Sequence, residues 1–252
     1  MVSGVRVVNL GFGGNNSYVY PATLQRYAVP YEAKIWVWQF FGNDLHESTE
    51  AEIVIAASDL DFKTQVLGSF QKTIDRPFPY NMRTFQLIFS ILNSEAFIWS
   101  DEGILNSVVN ENIVLPTTGA WQETDPTRSD VQRGWELTES ALVEAHKLAL
   151  SNDVKLAVIF VPYREHVYWE YIRDDVNGYD VKMLDEEAAK LESICTEIGI
   201  LFINLVPGFT KQALAGERLY YQIDGHWNEA GHDLAAEIRY EKLVQEGLIS
   251  EY

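Results

Sequence analysis

The sequence predicts an α/β protein built around a mainly parallel sheet. Four apolar runs, at residues 5–10, 35–41, 154–161 and 200–205, are continuously apolar rather than alternating, which is typical of strands covered on both faces. Stretches with helical spacing of apolar residues stand between these runs. Alternation of strand and helix implies right-handed crossovers and therefore parallel strands.

The elements follow one another in a single series. Residues 5–10 are predicted to form the first strand, and a helix at about 22–28 follows a cluster of glycines. Helices with one apolar face precede the third and fourth strands, and Asn228 is predicted to cap the last helix. Ligand sites in such sheets form at the carboxyl ends of the strands, so the turns that follow the strands are expected to converge.

We expect one domain over residues 1–252, with an insertion at about 50–138 between the second and third strands. The insertion contains an apolar run at 85–99 that is broken by polar residues. Insertions of this kind serve as lids or substrate walls, and also as packing appendages, and the sequence favours neither.

Composition excludes several classes of function. The formal net charge is −18 and the calculated pI is about 4.6, so the surface repels phosphate backbones and we expect neither nucleic acid nor an anionic membrane as a partner. No run reaches the ~18 apolar residues of a membrane helix, and no signal peptide begins at Met1, although the compartment stays open.

Cysteine and histidine usage predicts no disulfide and no metal. Cys195 is the single cysteine and lies on the apolar face of a predicted helix, where a buried thiol is expected. His46, His146 and His166 show no metal-site spacing and no partner pattern, and we expect each to be a surface or core histidine. No cofactor is implied.

Two motifs predict ester chemistry. Asp224-Gly225-His226 places a carboxylate two residues before an imidazole, and such a carboxylate fixes the tautomer of the ring and stabilises its protonated form. Asn43, in a Gly-Asn-Asp turn that follows the second strand, offers an uncharged amide donor to a developing oxyanion. Each motif alone is also compatible with an ordinary turn.

Together these motifs resemble the blocks of the SGNH (GDSL-like) hydrolase family. The resemblance implies a flavodoxin-like three-layer α/β/α sandwich and a serine-type acyl-enzyme mechanism on a small-molecule or carbohydrate ester. It implies that Gly14 and Asn43 form the oxyanion hole and that Asp224 and His226 are the acid and the base. The short spacing, followed by Trp227-Asn228, is similar to a subset that includes polysaccharide O-acetyltransferases, so hydrolysis and acyl transfer both stay open.

The sequence departs from the family at the nucleophile. The family's Gly-Asp-Ser turn and its strand precede the block that here stands at residues 9–14, and this chain has neither. A truncated form, an inactive short form and a substitute serine all explain this; Ser17 is the candidate substitute, although a loop or capping hydroxyl is expected there. Without the usual first strand, residues 5–10 must pair directly with 35–41, or another segment or chain must fill the gap, which leaves oligomerisation through the sheet open.

Two other functions compete with an esterase. A non-catalytic binding protein would keep the fold and a degenerate pocket. A flavodoxin-like nucleotide binder ranks last, because the chain lacks a glycine-lysine phosphate loop. Tyr163, Tyr168 and Trp169 follow the third predicted strand and either pack in the core or form an aromatic wall for a substrate.

Overall fold

The computed structural model describes residues 6–11, 15–57, 107–110, 113–116, 123–173, 180–221 and 225–250, with only the backbone described for 107–110 and 113–116. The predicted site residues Gly14 and Asp224, and the apolar run at 85–99, lie outside the described residues. Asn43 and His226 lie within them.

A parallel three-stranded sheet forms the centre of the fold. Its strands are β1 (Ile35–Phe40), β4 (Lys155–Phe160) and β5 (Leu201–Asn204), in the order β1-β4-β5. β1 pairs with β4 so that Phe40 lies opposite Phe160, and β4 pairs with β5 so that Phe160 lies opposite Asn204. The three predicted strands at 35–41, 154–161 and 200–205 are therefore confirmed, and their carboxyl ends lie side by side.

The predicted first strand at 5–10 is wrong for the residues that the structure describes. Residues 6–10 have no regular secondary structure and are largely exposed, with Val7 exposing 83% of its surface. They form no ladder with β1, because in the described part of the sheet β1 pairs only with β4. An apolar run becomes a strand only when a neighbouring strand satisfies its backbone groups, and residues 6–10 have no such neighbour there.

Helices alternate with the strands as predicted. The described helices are α1 (Tyr20–Thr23), continued by a π-helical turn (Leu24–Ala28) and a 3-10 turn (Val29–Tyr31), then α2 (Asn43–Ala57), α3 (Ser129–Ser151), α4 (Arg164–Val167), α5 (Trp169–Ile172), α6 (Lys182–Ile198), α7 (Val206–Leu214) and α8 (Glu229–Gln245). An antiparallel pair, β2 (Ser107–Asn110) and β3 (Ile113–Pro116), lies within the proposed insertion. None of the described helices is long and apolar enough to cross a membrane.

Side chains on the two faces of the sheet enter two separate cores, because successive residues of a strand point to opposite faces. Val158 and Phe160 belong to a core with residues of α3 and α6, whereas Ile159 and Ile203 belong to a core with residues of α7 and α8. Helices therefore cover both faces, and the architecture is the flavodoxin-like α/β/α sandwich that the resemblance implies.

A glycine allows α2 and α3 to approach closely. A Cβ atom added to Gly134 would lie 2.2 Å from the backbone oxygen of Leu45. Thr49 on α2 also donates a hydrogen bond of 2.8 Å to the backbone oxygen of Asp130 on α3. This contact fixes α2, and with it the turn that begins α2, against the rest of the fold.

Candidate active site

The turn after β1 is held by hydrogen bonds at both of its ends. The backbone N–H of Asp44 donates to the carbonyl of Phe41 over 2.9 Å, and the N–H of Phe41 donates to Oδ2 of Asp44 over 3.3 Å. A carboxylate that reaches back in this way satisfies a free donor at a helix N-terminus. Asp44 is buried, and this burial raises the pKa of its carboxyl well above the usual range, although the hydrogen bond from Phe41 acts in the opposite direction.

Asn43 is the first residue of α2 and stands at the carboxyl edge of the sheet. Its Nδ2 donates to Oε1 of Glu47 over 2.9 Å. Burial raises the pKa of Glu47, and the bond from Asn43 lowers it. The contact fixes the orientation of the amide and uses one of its two hydrogens, which leaves the second hydrogen for another acceptor.

A group of buried and partly buried acids lies behind this turn, and no sequence pattern had indicated it. A Cβ atom on Gly42 would lie 1.8 Å from the hydroxyl of Tyr163 and 2.6 Å from Oε1 of Glu187, so only glycine fits there. Tyr163 donates to Oε2 of Glu123 over 3.2 Å. Burial, with the neighbouring carboxyls of Glu123 and Asp44, raises the pKa of Glu187 well above its usual range.

The position of Glu187 in its helix was the signal that could have revealed it. Glu187 lies three residues after Leu184 and four before Leu191, both on the apolar face of α6, and this spacing places the three side chains on one face. Its side chain is buried, and neither carboxylate oxygen has a hydrogen-bond partner in the described structure.

Gly225 and His226, the described residues of the second predicted motif, lie just before α8. The N–H of Tyr221 donates to the carbonyl of His226 over 3.1 Å, and Tyr220 and Trp227 form an isolated antiparallel bridge. Trp227 is buried against Phe209, with the ring centroids 5.1 Å apart. His226 itself is exposed to solvent.

Asn228 caps α8 as predicted. Its Oδ1 accepts from the N–H of Gly231 over 3.0 Å, and its Nδ2 donates to the carbonyl of Arg218 over 2.7 Å. The residue therefore joins the helix start to the chain that leads into the His226 turn. His232 is on the first turn of α8, and its ring meets that of Trp227 edge to face at 5.6 Å.

Both motifs are anchored to the connection that follows β4. On one side, the ring of Phe41 packs against Tyr163 with the centroids 4.4 Å apart. On the other side, the hydroxyl of Tyr220 donates to the carbonyl of Pro162 over 2.8 Å. The turns that carry Asn43 and His226 thus share the carboxyl edge of the sheet, although the chain separates them by more than 180 residues.

Most of the other residues singled out from the sequence are buried. Tyr163 and Tyr168 are buried, so for these two the packing alternative is correct, whereas Trp169 lines a cavity. Ser17 is fully buried, with no hydrogen-bond partner for its hydroxyl in the described residues. Cys195 is a buried free thiol, and burial raises its pKa to about 12.

Two of the histidines that show no partner pattern in the sequence contact carboxylates in the structure. Nδ1 of His46 lies 2.9 Å from Asp130, and Nε2 of His166 lies 2.8 Å from Asp185. These carboxylates are 84 and 19 residues away in the sequence, so no local pattern could reveal them. Among the described residues, no group of three or more potential ligand side chains is arranged to hold a metal ion.

Comparison with known families is consistent with this architecture. A family model described as "SGNH hydrolase-like domain, acetyltransferase AlgX" matches residues 123–248, which is half of the chain. The matched segment begins before α3 and ends after α8, so it includes β4, β5 and the His226 turn. The chain belongs to this SGNH hydrolase-like family. Neither the curated proteins nor the solved structures include a significant match.

Proposed function

We propose that the chain carries the acid, the base and the oxyanion donors of an O-acyl ester reaction, in which an acetyl group passes to a carbohydrate hydroxyl. The main observation in support is that the Asn43 and His226 turns both contact the connection after β4. The family description names an acetyltransferase, which favours transfer to an alcohol over simple hydrolysis. The short Asp-Gly-His-Trp-Asn motif favours the same reaction.

Each residue has one role in this proposal. His226 takes the proton of the attacking hydroxyl while the oxygen of that hydroxyl bonds to the ester carbonyl carbon. Asp224 orients the imidazole ring of His226 and stabilises its protonated form. Asn43 and the backbone N–H of Gly14 donate to the oxygen that becomes negative. When the intermediate collapses, the bond to the leaving oxygen breaks and that oxygen receives the proton from His226.

Two groups could supply the attacking hydroxyl: a serine of the chain or the acceptor alcohol. In an acyl-enzyme reaction a serine attacks first and the acceptor alcohol attacks second. Ser17 is a poor candidate for that serine because it is fully buried. In a direct reaction the acceptor alcohol itself attacks, and water in its place gives hydrolysis.

A p-nitrophenyl acetate assay, with and without a carbohydrate acceptor, tests the proposal. Relative to the unsubstituted chain, His226→Ala is expected to lower kcat/KM by about 10²–10⁴-fold, and Asn43→Ala by about 10²–10³-fold. His232→Ala is the matched control, because it removes an imidazole that contacts Trp227 and has no assigned role. Mass spectrometry of the chain after brief exposure shows whether an acetyl group is bound, and on which residue.

The outcomes separate the candidate functions. Turnover that rises with the concentration of the carbohydrate acceptor supports acyl transfer. Turnover that does not change with that concentration supports an esterase. A chain with no turnover, or one whose turnover survives His226→Ala unchanged, would overturn the proposal. The first of these results favours a non-catalytic binding protein on the same scaffold.

A further inference from the structure

A cavity of about 580 Å³ opens at the carboxyl ends of β4 and β5, between the helices that follow these strands and the start of α6. The volume lies within the range of ~300–1,000 Å³ that is typical of small-molecule sites. Much of its wall is apolar and comes from the indole of Trp169 and from aliphatic side chains: Val167, Val181, Val206, Pro207 and Leu214. A ligand with an apolar face would gain contact area here.

One carboxylate in this wall is held in place by a buried imidazole. Nε2 of His166 lies 2.8 Å from Oδ1 of Asp185; the His166 side chain is buried, whereas the Asp185 side chain is 62% exposed. Because an ionised carboxylate can only accept, the hydrogen of this bond belongs to Nε2 of His166. The contact orients Asp185 and leaves its second oxygen, Oδ2, for a ligand that donates a hydrogen bond.

The remaining polar groups in the wall supply donors and little net charge. Thr210 and Lys211 enter from α7 and offer a hydroxyl and an ammonium group. Glu170 also lines the cavity, but Arg173 lies 2.9 Å from its carboxylate and offsets its charge. With Asp185 balanced by Lys211, the cavity is close to neutral.

We propose that this cavity binds a neutral sugar ring of the hydroxyl-bearing acceptor, which rests on the proposed function. A pyranose ring has faces made of C–H groups and a rim of hydroxyls. The indole of Trp169 and the aliphatic wall contact a face, Asp185 accepts from a hydroxyl, and Thr210 and Lys211 donate to others. An alkyl chain would contact the wall but would offer no donor to Oδ2 of Asp185.

The charge of the protein selects a neutral sugar over an acidic one. A uronate unit would bring a carboxylate next to Asp185, on a chain whose formal net charge is −18. Among the described residues that line the cavity, Lys211 is the one cationic side chain available to compensate for this repulsion. We therefore expect glycans of neutral sugars to bind more tightly than glycans of uronic acids.

Isothermal titration calorimetry on the whole chain tests the assignment. The probes are neutral hexasaccharides of glucose, mannose, galactose, xylose and N-acetylglucosamine, with hexagalacturonate as the acidic probe. At least one neutral probe is expected to bind with a Kd of about 1 mM or tighter, and hexagalacturonate at least tenfold more weakly. Trp169→Ala and Asp185→Asn are each expected to weaken binding about fivefold or more, and Glu186→Gln, an exposed neighbour on α6, is the matched control.

Thr210→Val is a further variant, which keeps the test decisive if Trp169→Ala does not fold. Asp185→Asn and Thr210→Val change polar groups outside the core, and circular dichroism of each verifies its fold. The assignment is overturned if no neutral probe binds, if hexagalacturonate binds as tightly as the best neutral probe, or if none of the folded variants weakens binding.

Failure of the cavity assignment can be distinguished from failure of the proposed function. Sugar binding that Asp185→Asn weakens, in a chain without acyl turnover, would support the cavity and overturn the proposed function. Turnover that depends on His226, in a chain whose cavity binds no neutral probe, would support the proposed function and overturn the cavity assignment.

Discussion

Replacing Glu187 with glutamine should make the protein more stable at neutral pH and change its stability little at mildly acidic pH. Glu187 is 5% exposed, and neither of its oxygens has a hydrogen-bond partner in the part of the chain that the structure describes. Burial raises the pKa of its carboxyl well above the usual range, so the folded protein keeps a proton that the unfolded chain loses.

The sign of the pH dependence follows from this difference in bound protons. Above the unfolded pKa of about 4.3, the folded state binds more protons than the unfolded state, so the free energy of unfolding falls as the pH rises. The contribution of Glu187 is complete below the unfolded pKa and is lost as the pH rises through the folded pKa. One carboxyl accounts for about 1.4 kcal/mol per pH unit within that window, and for about 2.7 kcal/mol over two units.

Glutamine has nearly the same shape as glutamate and never ionises, so Glu187→Gln removes this contribution. Burial also raises the pKa values of Asp44 and Glu165. The free energy of unfolding is therefore expected to fall somewhat with pH in both proteins. Urea unfolding followed by tryptophan fluorescence at pH 5, 6, 7 and 8, at constant ionic strength, measures the free energy of unfolding of each protein.

The stability difference between Glu187→Gln and the unsubstituted chain should grow with pH. Glu186→Gln is the control because Glu186 is exposed and adjacent in sequence on α6, and its curve should parallel that of the unsubstituted chain. A difference that stays constant from pH 5 to pH 8, or a Glu187→Gln protein that is less stable at pH 7, would refute the interpretation.

Three other predictions concern packing, capping and a buried thiol. Gly134→Ala should destabilise the fold by about 1–3 kcal/mol, because the added Cβ would meet the backbone of Leu45. Ser140→Ala, on the exposed side of the same helix, is the control in urea unfolding. A Gly134→Ala protein as stable as the unsubstituted chain would contradict the close contact. Asn228→Ala should cost about 1 kcal/mol in the same assay through loss of its cap, and an unchanged midpoint would contradict that role. Cys195, whose pKa burial raises to about 12, should react with a thiol reagent at pH 8 far more slowly in the folded protein than in urea, and equal rates would exclude the buried position.

Local patterns predicted most of the secondary structure that the structure describes. The continuous apolar runs that became β1, β4 and β5 differ from the observed strands by a residue or so at each end. Asn228 was recognised as a cap because it directly precedes the last helix and has a short side chain that accepts hydrogen bonds. These features depend on residues that are neighbours in the sequence.

Residues 6–10 show where such patterns fail. The run is largely apolar, yet residues 6–10 form no strand, because strand formation depends on a partner and not only on composition. The candidate site was predicted in a similarly incomplete way. Asn43 and His226 were proposed from their motifs, but their common anchoring through Tyr163 and Pro162 could not be inferred from those motifs.

By itself the sequence determined the alternation of helices and strands, the acidic character of the chain and the motifs from which an SGNH-like site is proposed. Only the tertiary structure decided that Glu187 is buried behind Gly42 and that His166 holds Asp185 at the wall of a cavity. The physical reason is that hydrophobic periodicity and capping act over a few residues, whereas burial and hydrogen bonding between distant side chains exist only after the chain has folded.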